Sequence, residues 1–203
     1  MNLKETYNRI ANDWYKDHKE DDWWIEGTKS FVALLKPGAT VLDVGCGAGF
    51  KSKYLHENGL NVTGIDFSEK FIEIAKRDVL EVNFIVMDMN EVGRLNQKYD
   101  AVFAQASLLH VPKSDASNMI GKFVDLINKG GYLYIAVKGI KQNGKEEEVM
   151  EEKDYGYPYE RFFSFYTMEE LVGYFKAQKL KIVYQNEKIV GRTNWLQIIG
   201  QRI

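Results

Sequence analysis

The sequence predicts an α/β domain built on a mainly parallel sheet with helices on both faces. Three observations predict it. Short apolar runs (TVLDVG, NVTGID, VNFIVMD, YDAVFAQ and YLYIAVK) alternate with segments of helical period, the pattern of repeated β-α units. A glycine-rich turn, Gly45, Gly47 and Gly49, directly follows the first run. Carboxylates, Asp66 and Asp88, close two of the later runs.

Each element has its own local signals. Residues 1–35 read as helical and rich in aromatics, among them Tyr7, Trp14, Tyr15 and Phe31, and Pro37-Gly38 breaks this segment. TVLDVG reads as a buried strand, and residues 50–58 as a helix that stops at Asn58-Gly59. After NVTGID, Ser68 is placed to cap a helix whose apolar face is Phe71, Ile72 and Ala75. VNFIVMD and YDAVFAQ are the third and fourth strands, and a loop with His110 and Pro112 follows. Ser114 is expected to cap the next helix, with Ile120, Phe123, Val124 and Ile127 on one face and Gly130-Gly131 at its end. After the fifth strand, YLYIAVK, residues 139–165 break the rhythm and read as an insertion. Within it, KEEE (145–148) reads as a solvated run. Thr167 with Glu170 forms a capping-box pattern. Two last strands, LKIVYQNE and NWLQIIGQ, turn at Gly191 and make seven in all.

Composition narrows the function. The chain has 203 residues, enough for one domain, 1–203, and a formal net charge of −2. That balance does not favour a phosphate-gripping surface, so nucleic acid is not the expected partner. A single cysteine, Cys46, excludes an internal disulfide and a multi-cysteine metal site, and the three histidines lack metal-ligand spacing. No apolar run approaches membrane-spanning length, and residues 1–22 are polar and charged. A soluble cytoplasmic protein is expected, with no metal. The oligomeric state is open.

In sheets of this class ligands bind beyond the carboxyl ends of the strands, near the point where strand order reverses. That rule gathers Gly45–Gly49, Asp66, Asp88 and Gln105–His110 on one rim. The dinucleotide fingerprint G-x-G-x-x-G fails here, because its third glycine falls on Phe50. The observed spacing is D-x-G-x-G-x-G. VLDVGCGAGF resembles the first motif of the class I S-adenosylmethionine-dependent methyltransferases. GIDFS, VMD, YDAVFAQASLLHV and GGYLYIAVK resemble that family's following segments, in order.

The resemblance implies a Rossmann-like, doubly wound, seven-stranded sheet with an antiparallel strand in the C-terminal hairpin, in three αβα layers. It also implies S-adenosylmethionine as cofactor and S-adenosylhomocysteine as product. A carboxylate accepts from both hydroxyls of a ribose, so Asp66 would hold that sugar, with Phe67 on the adenine face. Asp88 would accept from the adenine amine, and the Met89 N–H would serve a ring nitrogen. The backbone around Gly45, Cys46 and Gly47, with Gln105, would take the methionine end. Asp43 would organise the loop, or merely brace it. The segment 7–15, which includes Tyr15, resembles the family's N-terminal lid helix, and Tyr15 is expected to bind the cofactor. Cys46 belongs to the turn and is not a nucleophile.

A sulfonium methyl is already activated, so the protein must chiefly align an acceptor lone pair. His110 is the candidate general base, with a packed loop histidine as the alternative. Lys138 and Arg161 stand where they would meet an anionic acceptor, or they are solvated. QASLLH replaces [DNS]-P-P-[YFW] after the fourth strand, which argues against amide- and base-nitrogen methylation. The expected function is methyl transfer to a small-molecule acceptor. Action on tRNA or protein, and a non-catalytic S-adenosylmethionine-binding domain, are the alternatives.

Overall fold

The computed structural model describes residues 2–141 and 144–203; residues 142 and 143 of the expected insertion lie outside them. Two helices come first, α1 (Leu3–His18) and α2 (Ile25–Val32). Then follow β1 (Thr40–Val44), α3 (Phe50–Glu57), β2 (Asn61–Asp66), α4 (Glu69–Asp78) and β3 (Asn83–Val86). A 3-10 turn, Met89–Leu95, leads to β4 (Tyr99–Gln105), and a second, Leu108–His110, to α5 (Lys113–Asp125). β5 (Ile127–Lys138) precedes a hairpin of β6 (Glu147–Glu152) and β7 (Tyr159–Ser164). The chain closes with α6 (Met168–Ala177), β8 (Leu180–Val190) and β9 (Thr193–Arg202).

Seven strands form one sheet in the order β3-β2-β1-β4-β5-β9-β8. β1 to β5 run parallel, and β9 inserts antiparallel between β5 and β8. Alternation along the strands builds two cores. Val41, Phe103, Tyr134 and Ala136 pack against Phe31, Leu55 and Ile72 of α2, α3 and α4. Leu42, Val44, Val102, Ala104 and Ile135 pack against Ile120, Phe123 and Phe175 of α5 and α6. The sheet is thus the middle of three αβα layers. Strand order reverses between β1 and β4, so the switch point opens between their carboxyl ends.

Several local signals act as expected. Ser68 accepts from Phe71 N, and the capping box of Thr167 and Glu170 forms in both directions. The α5 signals did not. Ser114 lies inside the first turn, and the Lys113 N–H is instead taken by the Glu147 carboxylate at 2.6 Å. That contact also ties KEEE to the fold, since Glu147 and Glu148 open β6. The helix stops at Asp125, five residues before Gly130, because Arg202 donates to the carbonyls of Val124 and Ile127. Ile127 therefore belongs to β5, and Gly130-Gly131 lie within that strand. An added Cβ on Gly131 would lie 2.3 Å from the Asp100 carbonyl oxygen, so the close approach to β4 explains that glycine.

α1 lies across the rim and is anchored at both ends. Asn8 binds Glu69 and Ser68 at the start of α4, at 2.8 and 2.7 Å. Tyr157 donates to Asp13 at 2.8 Å, and Arg9 stacks over Tyr157 at 4.4 Å. No helix among the described residues is long and apolar enough to cross a membrane.

Candidate functional site

A cavity of about 420 Å³ opens at the carboxyl ends of β1, β2 and β4, beneath α1. Its size falls within the roughly 300–1,000 Å³ usual for small-ligand sites. It has two chemically different ends.

The β1–α3 turn forms one end. Gly45, Gly47 and Gly49 all take positive φ, at 70°, 53° and 83°, where a side chain is strained. At Gly45 a Cβ would also meet Ser107 Cβ at 2.5 Å. The turn is pinned from β2: Gly45 N and Cys46 N both donate to the Ile65 carbonyl. Asp66 Oδ2 accepts from Gly47 N at 3.0 Å, and Asp66 Oδ1 from Ser68 N at 2.8 Å. Both oxygens keep a second lone pair for a ligand. Asp43 is only 2% exposed and accepts from Ser52 Oγ at 2.6 Å. Burial lifts both carboxyls, each to about 6. Burial, with Asp43 and Asp66 nearby, pushes the Cys46 thiol well up, so it is held as an unreactive thiol.

The β4 side adds two buried groups without partners. Gln105 and Ser107 line the cavity, and their buried Nε2 and Oγ make no hydrogen bond among the described residues. Such groups are costly unless a ligand or water meets them. Phe67, Asp88 and Met89 complete the wall. Asp88 accepts from Asn90 N at 2.7 Å, as the cap of the 3-10 turn.

Tyr7, His110, Lys138, Arg161, Phe163, Trp23 and Trp195 line the other end. His110 Nδ1 lies 2.7 Å from the Phe162 carbonyl oxygen, which can only accept. Nδ1 therefore carries the proton, and Nε2 accepts from the Tyr7 hydroxyl at 2.6 Å. Burial lowers His110 to about 3, helped by the cations Arg161 and Lys138. Arg161 forks onto Glu152, with both nitrogen–oxygen distances 2.5 Å.

Of the residues singled out from sequence, Asp43, Gly45, Cys46, Gly47, Asp66, Phe67, Asp88, Met89, Gln105 and His110 all line this one cavity. Tyr15 does not. It stacks on Phe50 at 5.4 Å, with Arg77 over its ring at 5.5 Å. One residue along a helix is a rotation of about 100°, and the cavity-facing stripe of α1 is Leu3, Tyr7, Trp14 and His18. The i, i+4, i+11, i+15 spacing of that stripe was the available signal. His110 also departs from its expected role: its free lone pair is taken by Tyr7, and a proton on the ring is strongly disfavoured. Lys51, which sequence reasoning passed over, lines the cavity beside Asp43, with its ammonium 5.6 Å from the rings of Trp14 and Trp24.

Comparison with known proteins agrees with this geometry. Residues 41–131 match a family model described as a methyltransferase domain. The ubiquinone biosynthesis O-methyltransferase of Coxiella burnetii is 37% identical over 133 residues, covering 57% of this chain and 56% of that protein. Its counterpart from Hydrogenovibrio crunogenus is 31% identical over 142 residues, covering 64% of this chain and 57% of that protein. The chain thus spans a little over half the length of these relatives. Among solved structures, the 1,6-didemethyltoxoflavin-N1-methyltransferase of Burkholderia thailandensis superposes with a TM-score of 0.77 at 18% identity, covering 98% of this chain and 87% of that one. That structure contains 1,6-didemethyltoxoflavin and S-adenosylhomocysteine. The family match places a methyltransferase domain over residues 41–131, and with the motif series and the sheet order the chain is similar to the class I S-adenosylmethionine-dependent methyltransferases.

Proposed function

We propose that the protein is an S-adenosylmethionine-dependent methyltransferase acting on a small-molecule acceptor in the cytoplasm, with the whole chain working as one domain. The observation that carries this is one continuous cavity. It joins Gly45, Cys46 and Gly47 of the turn, with Gln105 and Ser107, whose buried polar atoms lack partners among the described residues, to an aromatic, cationic end under α1. The residues fit the cofactor. Asp66 accepts from the ribose hydroxyls while its two backbone donors keep it ionised. Phe67 covers one adenine face, Asp88 takes the exocyclic amine and Met89 N serves the ring. Gln105 and the turn backbone hold the methionine end, and Lys51 meets its carboxylate. Asp43 braces the turn through Ser52.

When bound, S-adenosylmethionine supplies a sulfonium methyl to an acceptor lone pair. The chain's own residues then position that acceptor. Tyr7 donates its hydrogen bond to His110 Nε2 and accepts from Arg161 at 3.5 Å, and its remaining lone pair would accept from an acceptor hydroxyl or amine. His110, locked by the Phe162 carbonyl, is a positioning residue for Tyr7 rather than the base. Arg161 and Lys138 make this end electropositive and favour the deprotonated form of an acidic acceptor. α1 and the β6–β7 hairpin roof the cavity, which suits a small acceptor better than a tRNA or a protein. The methyltransferase relatives, whose names refer to ubiquinone biosynthesis and to 1,6-didemethyltoxoflavin, point the same way.

The test is to incubate the protein with methyl-labelled S-adenosylmethionine and panels of small phenols, amines and thiols. Release of S-adenosylhomocysteine with label in one small acceptor is the expected result. Label found only in RNA or protein, or none anywhere, would overturn the reading.

A further inference from the structure

Three cations line the cavity, and one of them is ion-paired. Arg161 spends its fork on Glu152. Lys51 has no carboxylate within ion-pair distance among the described residues, but it lies at the turn, where Asp43 and Asp21 both favour its charge. Lys138 has no carboxylate within ion-pair distance among the described residues. Glu152, the carboxylate that acts on it, is already held by Arg161. The Lys138 ammonium sits 3.9 Å from the centre of the Phe163 ring. A cation over a ring gains only about 0.5–2 kcal/mol, which does not neutralise a charge withdrawn from water. Burial and Arg161 pull Lys138 down to about 8, so it remains mostly charged at neutral pH.

The surroundings are flat and aromatic. Lys138 on β5 pairs across the sheet with Trp195 on β9, and directly paired residues share a face. Trp195 stacks on Trp23 at 4.0 Å and 19°. The order of groups along the cavity also has a direction. Asp66 closes β2 and Lys138 closes β5, and β1 and β4 lie between those two strands in the sheet. Lys138 therefore stands three strands away from Asp66, at the opposite end of the cavity.

We propose that the acceptor is a small planar organic acid whose carboxylate is held by Lys138, with its ring between Phe163 and the Trp23–Trp195 pair. One unmatched cation beside a neutral histidine suits a monoanion; a phosphate dianion would leave its second charge unpaired. The carboxylate is a handle and not the methylated atom, because the reacting lone pair lies back toward Tyr7. This rests on the methyl-transfer reading above.

The experiment uses the full chain loaded with S-adenosylhomocysteine. Hydroxybenzoates, indole carboxylates and naphthoates are titrated, each against its own primary amide, by calorimetry and by quenching of tryptophan fluorescence. At least one acid should bind about tenfold or more tighter than its amide. Lys138→Met should erase that preference and change S-adenosylhomocysteine affinity by less than about twofold, and Lys138→Arg should keep the preference. If Lys138→Met does not fold, Lys138→Gln takes its place. A panel in which no acid outbinds its amide, or a preference that survives removal of the charge, overturns the proposal. The S-adenosylhomocysteine titration separates the two readings: if it fails, the methyl-transfer reading falls as well; if it succeeds without an acid preference, only this proposal falls.

Discussion

Replacing Asp66 by asparagine should weaken S-adenosylmethionine binding by about 10- to 150-fold. Asp66 is 6% exposed, and each oxygen already accepts one backbone N–H, from Gly47 or Ser68. Those bonds aim the remaining lone pairs into the cavity. Asparagine keeps one carbonyl acceptor but turns the other oxygen into a donor, which also confronts an N–H of the pinned turn. A hydrogen bond to a charged group is worth about 1.5–3 kcal/mol, and each 1.4 kcal/mol is about tenfold in affinity. Loss of one such bond gives the stated range. Asp66→Ala should be at least as damaging, since the buried N–H groups of Gly47 and Ser68 both lose an acceptor. The assay is calorimetric titration with S-adenosylmethionine, with circular dichroism to confirm the fold. An Asp66→Asn affinity within about threefold of the parent, in a folded protein, would refute the ribose assignment.

The other predictions concern the turn, the tyrosine and pH. Gly47→Val should abolish cofactor binding while the protein stays folded: φ is +53° and the nearest atoms to a Cβ are 4.0 Å away, so the branched side chain meets strain and projects toward Trp14. Retained binding would show that the turn does not approach a ligand. Tyr7→Phe should lower kcat by about 10- to 100-fold and shift its pH profile, with a much smaller change in S-adenosylhomocysteine affinity; an unchanged kcat would remove Tyr7 from the mechanism. Affinity for the cofactor should fall as pH drops below about 6, by up to about tenfold per unit for each group that must be ionised, because burial raises Asp66 and Asp43 to about 6. Asp66→Asn should make that slope shallower, and a slope identical to the parent's would contradict the assignment. Stability of the unliganded protein follows two opposite signs. The raised carboxyls hold protons that the unfolded chain has released, so they cost stability as pH rises from about 4 to 6. His110, lowered from 6.5 to about 3, stays neutral where the unfolded chain binds a proton, so its contribution is lost as pH falls through that window. Thermal melts of His110→Gln should therefore decline less on acidification than those of the parent.

The glycine-turn end of the cavity was legible in the sequence because its chemistry is local. Glycines at every second position after a buried strand mark a turn that side chains would block, and Asp66 ends the neighbouring strand one β-α unit later. The acceptor end was not, because it is made by long-range contacts. His110 could be placed on the rim, but its protonation is set by a carbonyl 52 residues away and by Tyr7, 103 residues away. Tyr15 belongs to the same run of aromatics as Tyr7 and Trp14, where a rotation of one residue decides which ring faces the cavity. Ser114 failed as a cap for the same kind of reason: Glu147, 34 residues downstream of Lys113, satisfies the helix start. Lys51 carried no signal beyond adjacency to the turn, and the lack of a partner for Lys138 becomes visible only once Arg161 is seen to hold Glu152.

The most direct test of the account is calorimetric titration of the unmodified protein with S-adenosylmethionine and then with S-adenosylhomocysteine. The account predicts micromolar binding of both at one site. No binding of either, by a protein whose circular dichroism shows the α/β fold intact, would contradict it.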